Sequence, residues 1–154
     1  MIKQKIFLIY ILITLSGCGF NPIYTNKNIA NIKINKVVTV GNKKINRELL
    51  SLLNIKKTDQ IKDSYVLNIE TKKIKQITAK DKSGNVSIFN IYLEAVITLK
   101  KPLGENGNIK TKTFSSNFSY NNQKNKFELS REEDNIETNL IENIARKIIL
   151  FIYS

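Results

Sequence analysis

Between Phe89 and Leu99 every second residue is apolar: Phe89, Ile91, Leu93, Ala95, Ile97 and Leu99. Asn90, Tyr92, Glu94 and Thr98, with Lys100 beyond, take most of the alternate positions. Successive side chains of an extended chain point to opposite faces, so this pattern makes one apolar face and one polar face. Such a strand belongs to a sheet covered on one side only. The rest of the chain must supply its neighbours and its cover.

Val86 to Lys101 is therefore the longest predicted strand. Ile109 to Tyr120 predicts another, with Phe114, Phe118 and Tyr120 on one face and Thr111, Thr113, Ser115 and Asn117 on the other. Asn106-Gly107 between them is a hairpin signal. Ser64 to Ile77 predicts a third strand, with Tyr65, Leu67 and Ile69 on one face. After Thr71 the apolar positions change parity, to Ile74 and then Ile77. A one-residue phase shift turns every side chain over, so a bulge or the edge of the core is expected near Thr71 to Lys73. Asp81 to Asn85 is a turn cluster. Ile29 to Val40 predicts the first strand, with Ile32 and Ile34 alternating against Lys33 and Asn35 before a β-branched run.

Two segments carry the helical period. Ile45, Leu49, Leu52 and Leu53 make one stripe over Lys43 to Asn54, with Asn42 placed to cap its start. Ser130 to Tyr153 predicts the longer helix. Ser130 and Glu133 form a capping box there, and Ile136, Leu140, Ile141, Ile144, Ala145, Ile148, Ile149 and Ile152 form a broad apolar face. The order strand, helix, three strands, helix predicts an α+β two-layer sandwich: a four-stranded sheet with both helices on one face.

The N-terminus is organised differently. Lys3 and Lys5 precede ten apolar residues, Ile6 to Leu15, and then Ser16, Gly17 and Cys18. Charge, apolar run and small residues come in the order of an export signal, and the run is too short to span a bilayer comfortably. Leu15-Ser16-Gly17-Cys18 is similar to the lipobox of bacterial lipoproteins. That resemblance implies a diacylglycerol on the Cys18 sulfur, cleavage before Cys18 and a third acyl chain on the freed amine. Each buried methylene contributes about 0.8 kcal/mol, and two lipid signals already give stable anchoring. Gly19 in place of an aspartate implies the outer membrane. Residues 1–17 are thus expected to be a signal peptide, 18–28 a lipidated tether, and 29–154 one α+β domain.

Composition then removes whole classes of chemistry. The chain has no histidine, and Cys18 is its one cysteine. Ser-His-Asp catalysis, Cys-His catalysis, thiolate zinc sites and histidine-ligated metals are excluded. Its six glycines form neither a dinucleotide fingerprint nor a P-loop. Glu94, Glu105 and Glu128 are scattered, with no spacing that pairs them. A non-enzyme without a cofactor, other than its covalent lipid, is expected.

Cys18 to Lys82 carries 14 basic and 5 acidic residues, a net of +9, whereas Ser83 to Ser154 carries 9 basic and 8 acidic, a net of +1. A basic half suggests an anionic partner. An exported lipoprotein does not ordinarily meet nucleic acid, so anionic lipid or lipopolysaccharide phosphate is the expected ligand. Lys72, Lys73, Lys75, Lys80 and Lys82 form the densest cluster, placed on a hairpin arm that projects past the packed sheet.

Leu15 to Tyr24, LSGCGFNPIY, resembles the start of the LptE family of lipopolysaccharide-assembly lipoproteins, with Cys18, Gly19, Phe20, Pro22 and Tyr24 matching and Ile23 in place of a leucine. The closing amphipathic segment, Asn135 to Ile152, also resembles that family's last helix. The resemblance implies a lipid-anchored protein of the outer membrane, facing the periplasm and a barrel lumen. It would assemble with and plug an LptD-like β-barrel, and assist and bind lipopolysaccharide on its way to the surface. A different reading of the same residues is a structural accessory lipoprotein of another envelope transport complex, with no lipid ligand.

Overall fold

The computed structural model describes residues 32–59, 64–101 and 109–152. The expected signal peptide, Cys18, the tether, the first residues of strand one, the Asn106-Gly107 turn and Tyr153 lie outside the described residues. Within them the chain runs β1 (Lys33–Gly41), α1 (Lys43–Leu53), β2 (Ser64–Lys80), β3 (Val86–Lys100), β4 (Ile109–Asn121) and α2 (Lys126–Ile152). The four strands form one sheet in that same order. β1 pairs with β2 in parallel, which needs a crossover connection that α1 provides, and the other neighbours are antiparallel. This is the predicted α+β sandwich.

One core lies between the sheet and the two helices. Leu67 and Ile69 of β2, the alternating Ile91 to Leu99 of β3, and Phe114 and Tyr120 of β4 meet Ile45, Leu49 and Leu53 of α1. Ile136, Leu140, Ile141, Ile144, Ala145, Ile148 and Ile152 of α2 close it. Each fully buried Leu or Ile contributes about 1.5–3 kcal/mol, so the apolar stripe of α2 is the main cover of the sheet. The opposite face carries Asn68, Glu70, Thr98, Thr111 and Thr113, with no helix over it among the described residues. There Thr98 and Thr111 bond each other at 3.1 Å and the Asn90 amide donates to Ser119 at 2.9 Å.

Of the two readings of the phase change near Thr71 to Lys73, a bulge or the edge of the core, the structure has the second: β2 stays in register with β3 from Val66 to Ile77, and what ends there is β1, whose Gly41 pairs with Thr71. A bulge occurs instead in β1, between Ile34 and Lys36, which puts Ile34 and Val37 on the same side despite their odd spacing. α2 begins four residues before the predicted start. Asn125, whose side-chain oxygen accepts the Phe127 N–H at 3.0 Å, is the cap, and Ser130 lies inside the helix. In α1 the cap is the predicted Asn42, accepting from Lys44 and Ile45 N–H at 3.0 and 3.2 Å. The buried stripe of α1 takes in Asn46 and leaves Leu52 40% exposed.

Candidate functional site

The five lysines of the predicted cluster lie on a hairpin arm built by the far half of β2, the turn after it and the start of β3. The turn is held by Asp81. Its carboxylate accepts the N–H groups of Ser83 and Asn85, each at 2.9 Å, while Asp81 N–H donates to Asn85 O at 2.8 Å. The Asn85 backbone bond above all lowers the Asp81 carboxyl from its ordinary pKa. Gly84 takes φ +82, a conformation open to glycine without strain. The pairing of β2 with β3 shifts twice near Ala79, so the arm ends in an irregular tip.

The cluster divides by face. Lys73 and Lys75 share their parity with the buried Leu67 and Ile69 and stand on the helix side. Both are met by carboxylates from α2. Lys73 Nζ donates to Glu137 Oε2, and Lys75 Nζ donates to Glu133 Oε1 at 2.6 Å while lying 4.3 Å from the centre of the Phe89 ring. Lys72 points to the open face, and Lys80 and Lys82 sit at the tip. These three are exposed and form no ion pair among the described residues. A phosphate would find Lys72, Lys80 and Lys82 unengaged; at Lys73 and Lys75 it would have to displace a carboxylate.

Beneath the arm, where β1 leaves the sheet, is a polar seam that the sequence does not reveal. Asn46 of α1 donates to Val40 O at 3.1 Å and accepts the Thr71 hydroxyl at 2.7 Å, so a buried amide ties α1 to both parallel strands. Glu137 is buried beside it. Its Oε1 lies 3.0 Å from Lys44 Nζ, an ionic contact, and Lys44 also donates to Asp134 at 2.9 Å. Burial pushes the Glu137 carboxyl upward, but the hydrogen bonds from Lys73 and Lys44 outweigh it and hold the pKa below its ordinary value. The Lys44 ammonium is pushed up to about 12, first by Asp134 and then by Glu137. Tyr120 donates to Glu133 at 2.8 Å, and burial together with that carboxylate raises its pKa.

The chemistry of this arrangement is ion pairing and hydrogen bonding. Among the described residues no group of three or more His, Cys, Asp or Glu is placed to hold a metal ion, and no helix is long and apolar enough to cross a membrane. Glu94 accepts the Tyr92 hydroxyl at 2.8 Å on the open face, while Glu128 lies in the first turn of α2. Glu105 is outside the described residues.

Neither a protein-family model nor a curated protein matches the sequence. The fold does match solved structures. It is similar to rare lipoprotein B from Shewanella oneidensis, with a TM-score of 0.59 and 17% identity over 77% of this chain and 93% of that one. Lipoprotein B from Nitrosomonas europaea gives 0.54 and 13%, covering 84% and 88%. A minor lipoprotein from Acinetobacter baumannii gives 0.50 and 18%, covering 77% and 91%. At these identities what is shared is the fold.

Proposed function

We propose that this chain is a lipid-anchored, non-catalytic lipoprotein of the outer membrane that assembles with and plugs an LptD-like β-barrel and assists lipopolysaccharide insertion. The observation that carries the reading is the conjunction of the Leu15-Ser16-Gly17-Cys18 lipobox with a fold whose solved neighbours bear lipoprotein names. The open sheet face supports it: a barrel lumen is polar and wet, and a plug must present polar surface to it. The projecting arm supports it as well, because Lys72, Lys80 and Lys82 offer exposed ammonium groups to lipopolysaccharide phosphates, and charge-assisted bonds to phosphate are strong.

Tagged protein pulled from outer membranes should bring a large β-barrel with it. Recovery of soluble periplasmic partners alone would favour an accessory role in another envelope complex. Reversing Lys80 and Lys82 to glutamate should weaken lipopolysaccharide binding without unfolding the domain, since both side chains are exposed. Unchanged affinity would remove the arm from the binding site.

A further inference from the structure

The register of the sheet gathers a second group of lysines at the end opposite the Asp81–Asn85 turn. Lys36 stands across from Val66, Val66 from Lys100, and Lys100 from Ile109, so one row across the sheet carries Lys36 and Lys100. Lys110 and Lys112 follow, paired with Leu99 and Ile97. Lys57 bridges Ile34, which brings Lys56 and Lys57 to the same end. All six are exposed, and none forms an ion pair among the described residues. The described segments that build this end are 32–36, 55–59, 64–66, 97–101 and 109–113; they hold eight lysines and a single acid, Asp59. Of the acids of α2, Glu133, Asp134 and Glu137 lie against the arm and the polar seam, and Glu142 faces Arg146 of its own helix.

Two further observations bear on what this end meets. The last turn of α2 reaches it, since the Phe151 ring packs 5.7 Å from Phe114 and Lys112 lies 5.6 Å from both rings. That turn exposes Leu150 at 70%, and β4 opens with Ile109 at 59%, so apolar side chains stand among the lysines. The N-terminal segment also enters here. The 14 residues from Cys18 to Asn31 lead into Ile32, and a stretch of that length spans at most about 50 Å. The arm's tip lies the length of β2 away, about 46 Å from Val66 at ordinary strand rise. A chain held by its N-terminus carries this end nearest the point of attachment, and the tip would come to the same surface only with the tether drawn out almost fully.

The geometry points to a docking surface for the headgroups of an anionic phospholipid bilayer at this end of the sheet. Lysines meet the phosphates, as polybasic segments do at charged membranes, while Ile109 and Leu150 reach the headgroup boundary. The inference rests on the lipid-anchored reading above and adds an orientation for the anchored protein free of a barrel: the basic end lies on the leaflet, and the Lys80–Lys82 tip points away.

Full-length protein isolated from membranes is reconstituted in vesicles of phosphatidylcholine alone or mixed with phosphatidylglycerol, and then labelled with an amine-reactive ester and read by mass spectrometry. Labelling at Lys56, Lys57, Lys100 and Lys110 should fall several-fold on the phosphatidylglycerol vesicles and return at high salt, with Lys80 and Lys82 unchanged. The double variant K57E/K110E, both exposed positions, should lose the difference while keeping its circular dichroism. Equal labelling of both ends on both vesicles overturns the proposal. So does protection that needs added lipopolysaccharide in place of phosphatidylglycerol, which would make this end a glycolipid site. The mass of the N-terminal peptide in the same spectra reports acylation of Cys18, so failure of the anchor is seen separately, and no barrel is present to confuse the two.

Discussion

The two halves of β2 belong to one strand and have opposite surroundings. From Val66 to Thr71 the strand is flanked on both edges, by β1 and β3, and its helix-side residues Leu67 and Ile69 are fully buried. From Lys72 to Lys80 β3 is its one neighbouring strand among the described residues, and the helix-side positions become Lys73, Lys75 and Ile77. The division falls at Gly41, which has φ +100 and sits so close to β2 that a Cβ built on it would lie 2.0 Å from Thr71 O. β1 ends there and turns into α1. Past that point the cover over β2 is the acidic start of α2 instead of its isoleucines. Charge on the core side of a strand is stable where the element above it supplies the counter-charge.

Deleting side-chain volume in the first half should have the largest effect. Ile69→Ala is expected to cost about 2–5 kcal/mol in urea unfolding, whereas Ile77→Ala, at a position 52% exposed, should cost less than about 0.5 kcal/mol. Similar losses at the two sites would abolish the distinction between the halves. Gly41→Val should come next, at about 1–3 kcal/mol, because it adds both a disfavoured φ and a clash with the Thr71 carbonyl. Wild-type stability in that variant would mean that β1 need not stop where it does.

Glu137→Gln tests the polar seam. It should cost about 1–2 kcal/mol near neutral pH, less than a fully buried ion pair, since Lys73 and Lys44 are partly exposed and can turn to water. The pH dependence has a definite sign. The Glu137 carboxyl is held below its ordinary value of 4.5, so its contribution is complete above that pH and is lost as the pH falls through its lower folded value. Lys44, raised from 10.5 to about 12, contributes below 10.5 and loses that contribution as the pH rises through 12. Glu137→Gln should therefore flatten the acid side of the stability profile; an unchanged acid limb would show that Glu137 does not stabilise the junction. The smallest effect expected is at the start of α2. Asn125→Ala should cost about 1 kcal/mol and Ser130→Ala close to nothing, and the reverse ranking would restore Ser130 as the cap.

Some parts of the candidate site were legible in the residues and others were not. The arm and its turn could be read because Asp81, Gly84 and the lysine run are local signals. The start of α2 differs from the sequence pattern because Ser130 and Glu133 have the spacing of a capping box, while in three dimensions Asn125 caps the helix first. Asn46 gave no signal, since its partners Val40 and Thr71 come together only when β1 and β2 pair. The basic end was equally hidden: Lys36, Lys57, Lys100 and Lys110 lie in four separate segments that meet only through the register of the sheet.

The alternation from Phe89 to Leu99 and the stripe from Ile136 to Ile152 are statements about periodicity, and periodicity alone determines which elements form and which face each must bury. Which lysines keep their charge available was decided by tertiary structure. Lys73 and Glu137 are 64 residues apart, and Lys75 and Glu133 are 58 apart. No local rule connects them, and Lys72, next to Lys73 in the chain, is left open because its side chain points to the face that no helix covers among the described residues.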